Sequence, residues 1–161
     1  MKTIGFTIVA ALGLCTLLWA MVAMAGEQKD MGGWELKSSY NQLYDASEMD
    51  SFKGTIVKIT EVIPMKGMSP GVGLVVRERG GDDISVHLCP NWFIEAKSSG
   101  LKRGDQVKVK GVWAVINDKD VFMASKVKKG DFFQLKVRLT KDGTPFWTMS
   151  PEQLAKERAS Q

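Results

Sequence analysis

Two strand-like runs joined by a tight turn decide the fold: "VGLVVRERGGDDISVHLC", residues 72–89. Aliphatic and β-branched residues dominate both runs, "VGLVVRER" at 72–79 and "ISVHLC" at 84–89, and this composition is typical of strands. The intervening "GGDD", 80–83, favours a hairpin turn, because Gly tolerates positive φ and Asp hydrogen-bonds to nearby backbone. The stretch therefore predicts an antiparallel hairpin that ends at Pro90.

Further strand-like runs flank this hairpin on both sides. "GTIVKITEVI" at 54–63 precedes it, whereas "GDQVKVKGVWAVI" at 104–116 and "VFMASKVKKG" at 121–130 follow it. A fourth flanking run, "FFQLKVRL" at 132–139, can extend the sheet. These segments are short and separated by turn residues, which is the pattern of an all-β barrel or sandwich.

The segment between the hairpin and residue 104 selects one barrel type. "PNWFIEAKSSG", 90–100, predicts a helix, because Pro90 or Asn91 can start it and Gly100 stands where a helix would be capped. A helix between the third and fourth of five strands is the element order of an OB-fold. We therefore predict an all-β fold, a small five-stranded OB-like Greek-key barrel with one helix between strands 3 and 4. An SH3-like barrel is the alternative, but it would not place a helix there.

The ends of the chain lie outside this barrel. Residues 1–25 carry one charge and a long apolar run that closes with the small residues of a cleavage site, so we expect a signal peptide. The run is also long enough for an N-terminal membrane anchor if the signal is uncleaved. We expect a periplasmic or secreted protein, with a polar arm at 26–50, the barrel and its C-terminal extension at 51–147, and an exposed tail at 148–161. A short helix is predicted near 38–44 in the arm and another in the tail.

Five stretches of this barrel carry a resemblance to a known group. The chain resembles small exported bacterial OB-fold proteins, a group described as DNA-binding-like, and the resemblance covers residues 43–147. It implies an OB-fold and an export route, but no reaction. The group has Gly in the His-Leu-Gly-Pro pattern where this chain has Cys89, which argues against a thiol function shared by the group. The matching stretches are "LYDASEMDSFKGTIVKITEV", "MKGMSPGVGLVV", "ISVHLCPNWFI", "GDQVKVKGVW" and "LTKDGTPFW".

Composition and motifs argue against an enzyme. The net charge is +4 for the chain and +3 without Lys2, which is too mild to indicate nucleic acid by itself. No nucleophile elbow is present, "PGVGLVV" at 70–76 lacks the third Gly of a dinucleotide site, and the chain has one His. We therefore predict a non-catalytic binding or interaction module without a cofactor.

The only His and the only Cys beyond residue 25 fall on one strand, at His87 and Cys89. Strand residues alternate between faces, so we expect both side chains to point outward while Ile84, Val86 and Leu88 point inward. Together with Met65 and Met68 of the preceding loop, they could bind a soft metal ion such as Cu(I), or form a redox site. The alternative is that Cys89 has only a structural role, as a small apolar residue packed in the fold.

The outer face of strands 2 and 3 is the predicted binding surface. Arg77, Arg79 and His87 are expected there, beside Lys66 and Trp92, since OB-folds bind ligands near this face and its loops. The partner would be an exported protein or an anionic ligand, and single-stranded nucleic acid is an alternative. No stable membrane insertion is expected after signal cleavage. The other interpretation is that these basic residues, with Lys58, Lys108 and Lys110, only solvate the outside of the barrel.

Overall fold

The structure is a computed structural model, and it describes residues 30–160. The predicted signal peptide or anchor at 1–25 lies outside the described residues. Within those residues, no helix combines the length and the apolar character needed to cross a bilayer. The strands are β1 Asp50–Val62, β2 Gly71–Glu78, β3 Asp83–Pro90, β4 Gln106–Ile116, β5 Lys119–Lys129 and β6 Phe133–Lys136, and one α-helix, α1, spans Pro151–Ala159.

The sheet closes into a barrel with OB-fold topology. Its strand order is β3-β2-β1-β4-β5-β6, and β3 also pairs with β5 in parallel, which joins the two sides of the sheet. β1 serves both halves: its first part pairs with β4 and its second part with β2. A bulge between Ile56 and Lys58 bends β1 at the changeover, as barrel closure requires. The predicted five-stranded OB-like barrel is therefore confirmed, with β6 as an added edge strand.

Hairpin turns set the strand order as the sequence predicts. The β4–β5 turn places Asn117 and Asp118 at φ 51° and 59°, the left-handed pair of a type I′ turn, which Asn and Asp tolerate well. Aliphatic side chains such as Ile56, Leu74 and Val109 fill the barrel interior and are almost fully buried. These positions alternate with outward residues along each strand, so most of the inner face is readable from the sequence.

The predicted helix at 90–100 is not formed. Pro90 ends β3, the next residues form turns, and only Ala96–Ser98 adopts a three-residue 3₁₀ helix. The hydroxyl of Ser99 donates to the carbonyl of Ala96 at 2.7 Å, and such local bonds compete with helix formation. The short helix expected at 38–44 is likewise a single 3₁₀ turn, Asn41–Leu43. The tail helix is present, with Ser150 as its N-cap in a capping box with Gln153.

Candidate anion-binding surface

The outer side of β2 and β3 is covered by the chain's own N-terminal arm, residues 30–49. The indole Nε1 of Trp34 donates to the carbonyl of Ser69 at 2.9 Å, and the Trp34 ring lies against Gly71 of β2. A side chain at Gly71 would collide with that ring, so glycine is required for this close approach. Trp34 is fully buried. The surface that OB-folds use for ligands is therefore occupied by an intramolecular segment.

A buried arginine joins the arm to the C-terminal segment. Arg138 Nη2 donates to Oδ1 of Asn41 at 2.7 Å, and Nη1 donates to the carbonyl of Gly143 at 3.3 Å. Its guanidinium carbon lies 4.9 Å from the ring centre of Tyr44 and 4.7 Å from that of Trp147, within cation–π range. Burial lowers the pKa of Arg138, because the charged form loses hydration. Its role is not predictable from the sequence, since nothing in "LKVRLT" distinguishes Arg138 from a solvated strand arginine.

The prediction that His87 and Cys89 point to solvent is wrong. Only 6% of His87 and 1% of Cys89 is exposed. The arm supplies the cover: the Tyr40 hydroxyl lies 3.3 Å from Nδ1 of His87, within hydrogen-bonding distance. Burial lowers the pKa of His87 to about 4 and raises the pKa of Cys89 to about 12, because each group resists charging away from water. The physical reason for the error is that β3 is buried on both faces from Val86 to Pro90, whereas the outward Ser85 is exposed.

The other sequence-predicted residues do not converge on one site. Arg77 lies on the surface in a bidentate ion pair with Asp83, at 2.8 and 3.0 Å, so its charge is already matched. Lys66 and Arg79 are exposed in the β1–β2 loop and the β2–β3 hairpin, and Trp92 is half-exposed after β3. The remaining two predicted ligands, Met65 and Met68, are partly buried against the core.

The proposed copper set therefore includes two buried side chains: His87, which lies beneath Tyr40 of the arm, and Cys89, whose Sγ lies 4.0 Å from the carbonyl oxygen of Ile94. Among residues 30–160, no three His, Cys, Asp or Glu side chains cluster as a metal site would require. Copper binding through Met65, Met68, His87 and Cys89 stays a prediction.

Lysines form two rows across the outer face of β1, β4, β5 and β6. Strand pairing places Lys53 opposite Lys108, and Lys108 opposite Lys128. The second row places Lys110 opposite Lys126, and Lys126 opposite Lys136. Adjacent strands are about 4.8 Å apart and alternate residues about 7 Å apart, so the rows cover roughly 14 by 7 Å. We call this surface the lysine face; its members are Lys53, Lys108, Lys110, Lys126, Lys128 and Lys136.

The positive charge of the lysine face is almost unbalanced. Lys136 Nζ lies 3.5 Å from a carboxylate oxygen of Glu157 on α1; the other five lysines have no ion pair within the described part of the chain. Burial and the neighbouring lysines, Lys128 and Lys110 first among them, lower the pKa of Lys126. Like charges directly opposite on a sheet destabilise it. Such an arrangement is suited to an anion that lies across several strands.

Part of the lysine face can be predicted from the sequence. "VKVK" at 107–110 and "SKVKK" at 125–129 alternate lysine with valine, which places the lysines of each strand on one outer face. What the sequence does not give is the register that stacks these lysines with each other and with Lys53 and Lys136. Without this register, Lys108 and Lys110 are indistinguishable from charges that only solvate the barrel.

A fully exposed aromatic side chain lies at one edge of the lysine face. Phe132 occupies the β5–β6 turn and has no cover from the described residues. It stands two positions before Gln134, which pairs with Lys128 at the end of one lysine row. The large apolar surface of Phe132 therefore contributes no burial energy to folding and is available for contact with a partner.

Comparison with known proteins adds a family and two solved structures. No curated protein matches the chain. The replication protein A heterotrimer bound to ssDNA matches at 12% identity and a TM-score of 0.40, over 70% of this chain and 66% of that chain. The mitochondrial single-stranded DNA-binding protein Rim1 of S. cerevisiae matches with the same identity and TM-score, over 58% of this chain and 96% of that chain. Identity this low says nothing about what the present chain binds.

The family match covers the barrel itself. The model of the MamS/MamX magnetosome protein family matches residues 48–133, which is more than half of the chain and includes β1 to β5. The lysine face lies within this range except for Lys136.

Proposed function

This chain belongs to the MamS/MamX magnetosome protein family, and we propose that it is a non-catalytic module that binds an anionic partner through the lysine face. The observation that carries the proposal is the cross-strand stacking of six lysines, of which only Lys136 is paired with a carboxylate among the described residues. A barrel that only needed solubility would intersperse acidic residues among them. The family description supports a place of action at the magnetosome.

The proposal moves the binding surface away from the outer face of β2 and β3. On that face, Trp34 and Tyr40 of the arm already occupy the space above Gly71 and His87. The charge of Arg77 is matched by Asp83. A partner at this face would have to displace the arm, whereas Lys53, Lys108 and Lys128 of the lysine face are already exposed. At the far edge, the side chain of Lys136 is only 16% exposed beside Glu157 of α1.

Binding of a fluorescent polyanion tests the proposal directly. Dextran sulfate is titrated with the full chain over a range of NaCl concentrations, and anisotropy gives Kd and its salt dependence. Replacing Lys108, Lys110 and Lys128 by Gln should weaken binding at least tenfold, since each lysine that neutralises an anionic group of the polymer releases a counterion when it binds. The slope of log K against log salt should fall by roughly 2–3 when these three cations are removed.

A matched control variant separates the two surfaces. Replacing Lys66, Arg77 and Arg79 by Gln removes the same number of positive charges from the sequence-predicted face, and the Kd of this control variant for dextran sulfate should stay within twofold of that of the unsubstituted chain. Loss of binding in this variant alone would return the site to β2 and β3. No change in either variant would refute anion binding at both surfaces. Thermal unfolding of each variant checks that the barrel remains folded.

A further inference from the structure

We infer that the anionic partner is a lipid bilayer, against which the lysine face lies while Phe132 inserts between the headgroups. This inference rests on the proposed function, because it uses the same lysines. It adds the class of partner and a seventh binding residue.

Phe132 supplies the apolar half of such an interface. Its side chain is fully exposed at the tip of the β5–β6 turn, where Lys129 pairs with Phe133 to close the hairpin. Lys129 Nζ is paired with Asp105 at 3.0 Å and lies 4.8 Å from the ring centre of Phe133, so the exposed tip consists of Gly130, Asp131 and Phe132, and Phe132 is its apolar residue. An apolar residue beside a row of cations is the composition of surfaces that bind anionic membranes.

The chemistry of the lysine face favours headgroups over nucleic acid. Its cations are all lysines, which act as point charges and lack the planar fork by which arginine fixes a phosphate. Binding of single strands also uses aromatic platforms within the basic groove. The side chains that complete the two rows are Ser51 and Gln134, and neither can stack on a base.

The exposed tryptophans lie elsewhere in the fold. Trp113 packs beside Phe52 and Phe122, with ring centres 6.5 and 5.1 Å apart, on the side of β4 opposite the lysines. Trp92 lies in the connection after β3. A bilayer can gather mobile headgroups under charges that are fixed by the sheet, whereas a polymer must match their spacing. The lysine face is therefore better suited to a fluid anionic surface.

Depth-dependent quenching at position 132 tests the inference. The full chain carrying Phe132→Trp is mixed with vesicles of brominated phosphatidylcholine, with and without phosphatidylglycerol, and the signal of the unsubstituted chain is subtracted. We expect quenching of the new tryptophan only when phosphatidylglycerol is present. The lysine triple variant should lose this quenching, since each lysine contributes about fivefold to binding and three contribute roughly 100-fold. The Lys66, Arg77 and Arg79 control should retain it.

The other outcomes each decide against a stated idea. Equal quenching with and without phosphatidylglycerol, unaffected by the lysine substitutions, would mean that another segment brings the chain to lipid, and the inference would be overturned. If the new tryptophan is not quenched by lipid but the binding of dextran sulfate still depends on the lysines, the bilayer is rejected as the partner and the proposed function stands. A single-stranded oligonucleotide that then binds more tightly than dextran sulfate would identify nucleic acid as the partner. Lysine-independent results with both probes would reject both proposals.

Discussion

Acid should destabilise this protein through His87 over a specific pH range. The imidazole is buried beneath Tyr40, and burial lowers its pKa from 6.5 to about 4. A group whose folded pKa is depressed binds its proton later in the folded state than in the unfolded state. Between pH 6.5 and 4, His87 is therefore protonated in the unfolded chain but neutral in the folded chain, and the free energy of unfolding falls as the pH falls.

The size of this loss follows from the shift itself. A difference of about 2.5 pKa units corresponds to about 3 kcal/mol, reached below pH 4, and about 2 kcal/mol is already lost by pH 5. Protonation of carboxylates whose pKa is lowered in the folded state, such as Asp83 and Asp105, also destabilises the protein in acid. Their contribution appears mainly as the pH falls through their own lowered values, and it is the same in any His87 variant.

Urea unfolding of the unsubstituted chain and of His87→Gln, at pH 7.5 and pH 5, isolates the imidazole. The free energy of unfolding of the unsubstituted chain should fall about 2 kcal/mol more than that of the variant across this interval. Glutamine keeps a polar group near the Tyr40 hydroxyl and does not titrate. Parallel losses in the two proteins would show that the imidazole is not desolvated in the folded state, and the reasoning about the covered face of β3 would be refuted.

Two further predictions concern stability. Lys126→Gln removes the like-charge pairs with Lys110 and Lys136, so it should raise stability by about 0.5–1 kcal/mol and Tm by roughly 2–6 °C in a thermal melt; an unchanged or lower Tm would argue against repulsion within the lysine face. Trp34→Ala should cost about 3–5 kcal/mol in urea unfolding, because a buried ring and its bond to Ser69 are removed, whereas Leu36→Ala, at a half-exposed neighbour, should cost little. Equal effects of these two substitutions would mean that the arm is not docked.

The inward faces of the strands and the turns between them were predictable from the sequence, because alternation and turn chemistry are local properties. The outward faces were not equally predictable. In "ISVHLC" the outward Ser85 is exposed as alternation predicts, whereas the outward His87 is buried. Alternation alone assigns His87 to the outside of the barrel, but it cannot show that Tyr40, 47 positions earlier in the chain, will cover it.

The candidate site required pairing information that the sequence lacks. Valine–lysine alternation marks an outward face on β4 and on β5, but either strand by itself looks like a solvated surface. Only the register, with Lys110 opposite Lys126 and Lys126 opposite Lys136, shows that these three charges form one continuous positive row. Arg138 shows the same limit, because its partners Asn41 and Tyr44 lie almost a hundred positions away.

The enclosed thiol of Cys89 gives the protein a native reporter of its own opening. The residue is 1% exposed, its Sγ lies 4.0 Å from the carbonyl oxygen of Ile94, and burial raises its pKa. A thiol reagent should therefore react with it only after the segments that enclose it have opened. The rate of labelling at Cys89, measured under conditions where opening is at equilibrium, thus reports the free energy of that local opening. Labelling of Cys89 can therefore show, without an introduced probe, whether binding of a partner opens this region.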